Sequence, residues 1–243
     1  MKIVGIIPAR YGSTRLEGKP LKDICGKPMI QHVYEAAQGA RYLDHIYVAT
    51  DDQRIVDAVT RFGGNVRLTS PDHKTGTDRI AEVAANLAVD IVVNLQGDEP
   101  LLNPAMIDEV IQPFVAEPEL PMSTLCVPIL EEDALHDPNV VKVVFDQRGN
   151  ALYFSRSLIP YPRKRENFTA YEHLGLYAYR KDFLMTYISL PQSRLEINEA
   201  LEQLRVLEAG YQLRVVVSTH PYDGVSVDTQ ADLERVRQIV AAR

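Results

Sequence analysis

Near the start of the chain, Arg10, Arg15 and Lys19 alternate with Gly12, Ser13 and Gly18 in the run ARYGSTRLEGKP, with Glu17 as the opposing charge. Cations beside glycines, whose backbone N–H groups a ligand can approach closely, suit a phosphate chain. A second group follows the apolar run Ile91 to Leu95, in Gln96-Gly97-Asp98-Glu99-Pro100. Carboxylates at the carboxyl end of a buried strand can hold a hard cation against phosphate oxygens. Between the two lies a polar stretch, His73 to Arg79, carrying Thr75, Gly76 and Thr77 ahead of another apolar-periodic segment. Each has a plainer reading as well: a long solvated connection, a pair of turn residues, and a turn leading into a helix. Asp228-Thr229 reads first as a helix cap. Two familiar phosphate motifs are excluded. Gly18-Lys19 is followed by Pro20, so G-x-x-x-x-G-K-S/T is not met, and no G-x-G-x-x-G follows the first apolar run.

Alternating short apolar runs and amphipathic segments must position these residues. Ile3, Val4, Ile6 and Ile7 read as a strand stopped by Pro8, and Pro28 opens a helix carrying Ile30, Val33 and Ala37. Ile46 to Thr50, Asn65 to Thr69 and Ile91 to Leu95 read as further strands. Asp51 is the expected cap of the helix after the second strand and Thr77 that of the helix after the third. The pattern predicts a parallel sheet covered on both faces, with the cationic loop and Asp98 on its carboxyl rim. Beyond Met122 to Ile129 the character changes. Val140 to Phe145 and Ala151 to Ser155 flank a turn and read as a hairpin, and Leu174 to Tyr179 as a strand. Arg163, Lys164 and Arg165 read as a solvated loop. Ser193 and Glu196 have capping-box spacing for one helix running through Leu195, Leu201, Leu204 and Leu207. Tyr211 to Val217 reads as a strand, and Thr229 caps a last helix.

With 243 residues, 46% of them hydrophobic and 24% charged, the chain has ordinary globular composition. Its net charge of -7 argues against broad nucleic-acid or membrane binding, so the cationic loop is local. Cys25 and Cys126 lack disulfide or metal spacing and are expected to be reduced, and no apolar run approaches membrane-spanning length. A cytoplasmic location is expected.

Taken together, the blocks IIPARYGSTRLEGKPL, VATDD, HKTGTDRIAEV, VNLQGDEPL, VKVVFD, ALYFSRSLIP, HLGLYAYR, LEQLRVLEAGY and VDTQADLERV resemble the 3-deoxy-D-manno-octulosonate cytidylyltransferase family nearly end to end. The resemblance implies an α/β nucleotidyltransferase fold, glycosyltransferase-A-like and Rossmann-like, with three α/β/α layers about a central mixed sheet. It implies a single domain over 1–243, with a smaller hairpin lobe at roughly 130–190 for sugar binding and dimerisation. The implied reaction joins CTP to 3-deoxy-manno-octulosonate (Kdo), releasing pyrophosphate, with Mg²⁺ as cofactor, in lipopolysaccharide biosynthesis. A related sugar acid, such as 8-amino-Kdo or a sialic acid, is the alternative.

By the same resemblance, Lys19 and Arg15 meet the developing phosphate charge, and Asp98 and Asp228 are the magnesium ligands. Arg10, Gly12, Ser13, Thr75 and Gly76 contact the nucleotide. Gln96, Arg156, His173, Tyr177, Glu202 and Gln203 surround the sugar, with the Arg156 fork suited to its carboxylate. A homodimer is implied, with neither nucleic acid nor membrane insertion. A sialic-acid-activating enzyme would lack the FSR, HLG and LEQLR blocks. A non-catalytic nucleotide sensor would have lost Lys19 or a metal carboxylate.

Overall fold

The structure is a computed structural model and describes residues 1–12, 16–166, 168–222 and 225–242. In chain order the elements are β1 (Ile3–Ala9), β2 (Asp23–Ile24), β3 (Lys27–Pro28), α1 (Met29–Ala37), β4 (His45–Thr50), α2 (Gln53–Arg61), β5 (Val66–Leu68), α3 (Gly76–Ala85), β6 (Ile91–Asn94) and α4 (Pro104–Ala116). They continue with β7 (Met122–Pro128), α5 (Glu132–His136), β8 (Lys142–Phe145), β9 (Ala151–Ser155), β10 (Tyr171–Arg180), α6 (Lys181–Ser189), α7 (Arg194–Glu199), α8 (Leu204–Glu208), β11 (Arg214–Val217) and α9 (Gln230–Ala241). The chain divides into two compact units, Met1–Asp108 with Tyr222–Arg243, and Glu109–Pro221. The hairpin region expected at roughly 130–190 falls inside the second unit.

In the first unit the parallel strands lie in the order β6-β1-β4-β5. Ile3, Val4, Ile6, Ile7, Val92 and Val93 are buried, as expected for strands covered on both faces. Pro8 does not stop β1, which runs on to Ala9. The reason lies in the ladder. Ile6 bonds toward β6, accepting from Leu95 N–H, so Pro8, two residues on, turns its missing N–H to that same side. The β6 pairing has ended there, at Ile6 opposite Asn94, and β4 continues alongside on the other flank.

Two helix caps differ from expectation by one or two residues. The cap of α2 is Asp52, whose carboxylate accepts from Arg54 N–H, because Asp51 is held by the Arg79 guanidinium at 2.7 Å. Thr75 caps α3 in a reciprocal box with Asp78, which places Thr77 inside the first turn and buries it. Thr229 caps α9 as expected, boxed with Asp232. Leu233 and Val236 of α9 pack with Val225, Val227, Leu16, Ile24 and Met29, which anchors the C-terminal segment on the residues around the β2–β3 ribbon.

In the second unit β7 pairs in parallel with β11 and antiparallel with β10. The β8–β9 hairpin extends antiparallel from β10. A register shift between Leu174 and Tyr177 interrupts the β7–β10 ladder. The single helix expected through Leu207 is two short ones. Ala200 takes a left-handed conformation with φ 51, ends α7, and delays α8 until Leu204. Leu201 and Leu204 are buried nonetheless.

Arg205 of α8 donates from Nε to Glu196 of α7 at 2.8 Å and lies over the Tyr187 ring. Both charged side chains are almost fully buried, so neither tolerates loss of the other. Glu196→Ala is expected to cost about 3 kcal/mol of stability, in the range for an uncompensated buried charge, and is checked by the shift in the urea unfolding midpoint.

Candidate active site

The first unit contains a cavity of 370 Å³ lined by the carboxyl ends of β1 and β6, the N-terminal turn of α3 and the residue before Thr229. Its floor depends on Gly97. A Cβ there would lie 2.7 Å from the Pro8 carbonyl oxygen, so only glycine lets the two strand ends approach this closely.

Lys19 opens a one-turn helix, Lys19–Leu21, after Gly18, whose φ of 65 is a left-handed conformation. Gly18 N–H donates to Tyr11 C=O at 3.0 Å, closing the base of the loop. This geometry sends Lys19 Nζ between two carboxylates, 2.9 Å from Asp98 Oδ2 and 3.1 Å from Asp228 Oδ1. Val227 N–H also donates to the Asp98 carbonyl at 2.9 Å, so the two acidic segments are joined through the backbone. Asp228 immediately precedes the α9 cap, where the positive end of a helix favours an anion. The reading of Asp228-Thr229 as a cap thus describes Thr229, while the Asp228 carboxylate faces the lysine.

Arg10 and Gly12 also line the cavity, as do Thr75, Gly76 and Gln96. Ser13 and Arg15 lie outside the described residues. Sequence reasoning left Arg79 and His73 at the edges of a segment without a role for either, and both line the cavity. Arg79 is buried, donating to Asp51, Thr69 Oγ1 and the Ser70 carbonyl. His73 Nε2 lies 2.5 Å from Glu82 Oε2. Glu82 is held below the usual carboxylate range, first by the Ser70 N–H and then by His73. An arginine adjoining the apolar Ile80, Val83 and Ala84 at helical spacing was the available signal.

Arg156, His173, Tyr177, Glu202 and Gln203 belong to the second unit. The Arg156 fork, suited in sequence to a sugar carboxylate, rests on main-chain carbonyls with part of its five donors. It donates from Nε to Glu199 and from NH1 to Pro138, at 2.7 and 2.8 Å. His173 and Tyr177 flank the β10 irregularity with ring centroids 5.4 Å apart. Thr124 has one hydroxyl proton and two carbonyl acceptors, Leu174 and Leu176, so its contact with His173 Nε2 is best met by the imidazole N–H donating. Burial pushes the His173 imidazole down to about 3. Burial, then Tyr187 and Glu202, hold the Tyr177 phenol well above its ordinary value, so it stays a neutral hydroxyl. Glu202 is exposed and Gln203 buried; both fall in the break between α7 and α8, not on one continuous helix.

Among known proteins, the cytidylyltransferase family model matches residues 4–216. The 3-deoxy-manno-octulosonate cytidylyltransferase of Syntrophus aciditrophicus is 52% identical over 246 residues, covering 100% of this chain and 98% of that protein. The protein of that name from Geobacter sulfurreducens is 53% identical over 250 residues, covering 97% and 98%. The chain belongs to the 3-deoxy-manno-octulosonate cytidylyltransferase family. A solved CMP:2-keto-3-deoxy-manno-octonic acid synthetase complexed with CTP superposes with a TM-score of 0.93 at 49% identity, covering 100% of this chain and 99% of that one. The nucleotidyltransferase fold expected from sequence is therefore present. A cytidylyltransferase from Leptospira borgpetersenii, at 18% identity and a TM-score of 0.69, shares the fold. No helix among the described residues of this family member is long and apolar enough to cross a membrane.

The His173 assignment has a measurable consequence. The unfolded chain takes up a proton near the ordinary value of 6.5 and the folded chain does not until about 3, so His173 erodes stability as pH falls through that window. The His173 ring protons are expected to show no NMR titration from about pH 8 to about pH 5, a window centred on the ordinary histidine range.

Proposed function

We propose that this chain transfers the cytidylyl group of CTP to the anomeric hydroxyl of 3-deoxy-manno-octulosonate, releasing pyrophosphate. The observation that carries the reading is the convergence of Lys19, Asp98 and Asp228 on one cavity, in a chain of this family. Attack at the α-phosphorus needs in-line positioning and neutralisation of negative charge more than covalent participation by the protein. Lys19 supplies a cation whose position is already set by two carboxylates. Arg10 and Gly12 line the same cavity and serve the triphosphate, and the family resemblance assigns Arg15 and Ser13 to that task as well. Thr75 and Gly76, at the start of α3, face the nucleoside.

The acidic pair fits a magnesium ion. Lys19 Nζ already lies within hydrogen-bonding distance of both carboxylates, so one cation can reach both. Among the described residues no group of three or more His, Cys, Asp or Glu is arranged to hold a metal. Two protein carboxylates, with water and phosphate oxygens completing the octahedron, are the usual protein share for this ion. Mg²⁺ held by Asp98 and Asp228 would polarise phosphate oxygens and favour ionisation of the attacking hydroxyl. For the sugar acid, His173, Tyr177 and Gln203 offer neutral donors and acceptors and Glu202 an anionic acceptor, all suited to hydroxyl groups, and Arg156 meets the sugar carboxylate with the guanidinium N–H groups its carbonyl contacts leave free. The family resemblance assigns Gln96 to the sugar as well. The reading includes a homodimer acting in the cytoplasm and supplying lipopolysaccharide assembly, on the strength of the family resemblance.

Two experiments test this. Pyrophosphate release with Mg²⁺ is measured for Kdo, 8-amino-Kdo and sialic acid, each with CTP, UTP and ATP. Release with CTP and Kdo in preference to every other pair is expected, and release only with sialic acid would overturn the sugar assignment. In the second, Asp98→Asn and Asp228→Asn are each expected to lower turnover at least about a thousandfold, the scale of losing a group that stabilises transferred phosphoryl charge. Circular dichroism should stay unchanged. Full magnesium-dependent activity in either variant would remove that residue from the metal site.

A further inference from the structure

Lys142 is an unusual residue in the second unit. Its side chain is fully buried, yet its ammonium meets no carboxylate within ion-pair distance among the described residues. All three N–H donors go to main-chain carbonyls: Val140 at 2.7 Å, Asp137 at 2.8 Å and Arg156 at 3.0 Å. Desolvation of a buried ammonium opposes folding, and burial correspondingly lowers its pKa. An apolar side chain of similar length would fill the space without that penalty. What it could not do is tie the 137–140 turn to the end of β9.

From β9 the connection continues to the break between α7 and α8. Glu199 Oε1 accepts from Ser155 Oγ at 2.7 Å and Oε2 from Arg156 N–H at 2.9 Å. The Tyr153 phenol lies on the same face of β9 as Ser155, and its pKa is raised first by burial and then by the Glu199 carboxylate. In return Arg156 holds the carbonyls of Glu199 at 2.7 Å and Pro138 at 2.8 Å. These bonds converge on the residue just before left-handed Ala200, which turns the chain toward Glu202 and Gln203. Tyr187 OH fixes the far side by donating to the Glu202 carbonyl at 3.0 Å. Gln203 is only 4% exposed, and its Nε2 has no hydrogen-bond partner among the described residues. A buried amide donor without an acceptor is costly unless a water or a ligand oxygen completes it.

We propose that Lys142 and Glu199 are positioning residues for the sugar acid: through Arg156 they hold the Ala200 turn so that the Gln203 amide is presented to a ligand oxygen. The inference rests on the octulosonate reading above. Neither residue touches the sugar. Their effect is on its binding and alignment, and nucleotide binding by the first unit's residues is untouched.

The test compares Glu199→Gln and Lys142→Met with the unaltered protein. Steady-state KM is measured for each substrate, with calorimetric binding of the sugar acid as a readout independent of turnover. Both variants are expected to raise the sugar-acid KM and dissociation constant about tenfold or more, as misalignment at a binding site does, while the CTP KM stays within about twofold. A merely structural role would lower the melting temperature without splitting the two KM values. An unchanged sugar-acid KM in a folded variant, or equal rises for both substrates, would overturn the proposal. If Lys142→Met does not fold, Glu199→Gln decides, since glutamine keeps the size and one acceptor. Turnover by the unaltered protein with a different sugar acid would retire the octulosonate reading alone, and the KM split would then be read with that acid. No turnover or binding with any sugar acid would overturn both.

Discussion

The Lys19 ammonium between Asp98 and Asp228 is the interaction on which the first unit's chemistry depends. It joins residues 79 and 209 positions apart in the chain. Two carboxylates facing one cavity would repel each other and resist an incoming phosphate chain. A cation between them removes both difficulties and is itself held in place by them. The rest of the unit serves that meeting: left-handed Gly18 turns Lys19 inward, Gly97 lets β6 end against β1, and the apolar packing of α9 delivers Asp228.

In the second unit, polar side chains fix main chain where the first unit gathers charge. Lys142 and Arg156 donate to carbonyls of residues that make no regular ladder there, and Glu199 accepts from the N–H at the end of β9. Burying such groups is favourable only when their hydrogen bonds are met, and here nearly all are. The result is an irregular turn held as firmly as a regular element. Among the described residues of this unit Gln203 Nε2 is the exception, the observation from which its proposed role toward the sugar acid starts. The aromatic row from Phe154 through His173 and Tyr177 to Tyr179 and Tyr187 gives the same region a stiff backing.

The two kinds of arrangement suit the two substrates proposed for this chain. A triphosphate is recognised chiefly by charge, which acts over distance and tolerates small errors of placement. A sugar acid presents hydroxyls that must be matched one by one, so the groups that meet it have to be aligned. Neutral His173 and Tyr177 suit that task, because burial keeps both in a single protonation state.

Sequence alone determined the elements with local causes: the apolar strands, the capping box at Ser193, the cap at Thr229, and the glycine-rich loop carrying Lys19. Each follows from neighbours a few residues away, so periodicity and cap chemistry reveal it. The family blocks marked Asp98 and Asp228 as a pair, but their meeting on one lysine required the folded chain. Only tertiary structure decided where local rules compete. Asp51 and Asp52 are equally good caps until Arg79 claims one, Pro8 stays in β1 because the neighbouring ladder has ended, and the Leu195 to Leu207 stripe is broken at Ala200. Arg156 is a further case, since the carbonyls its guanidinium rests on, those of Glu199 and Pro138, are brought to it only by the fold. The physical reason is common to all four: a donor or acceptor is selected by the partners around it in space, and those partners are distant in the chain.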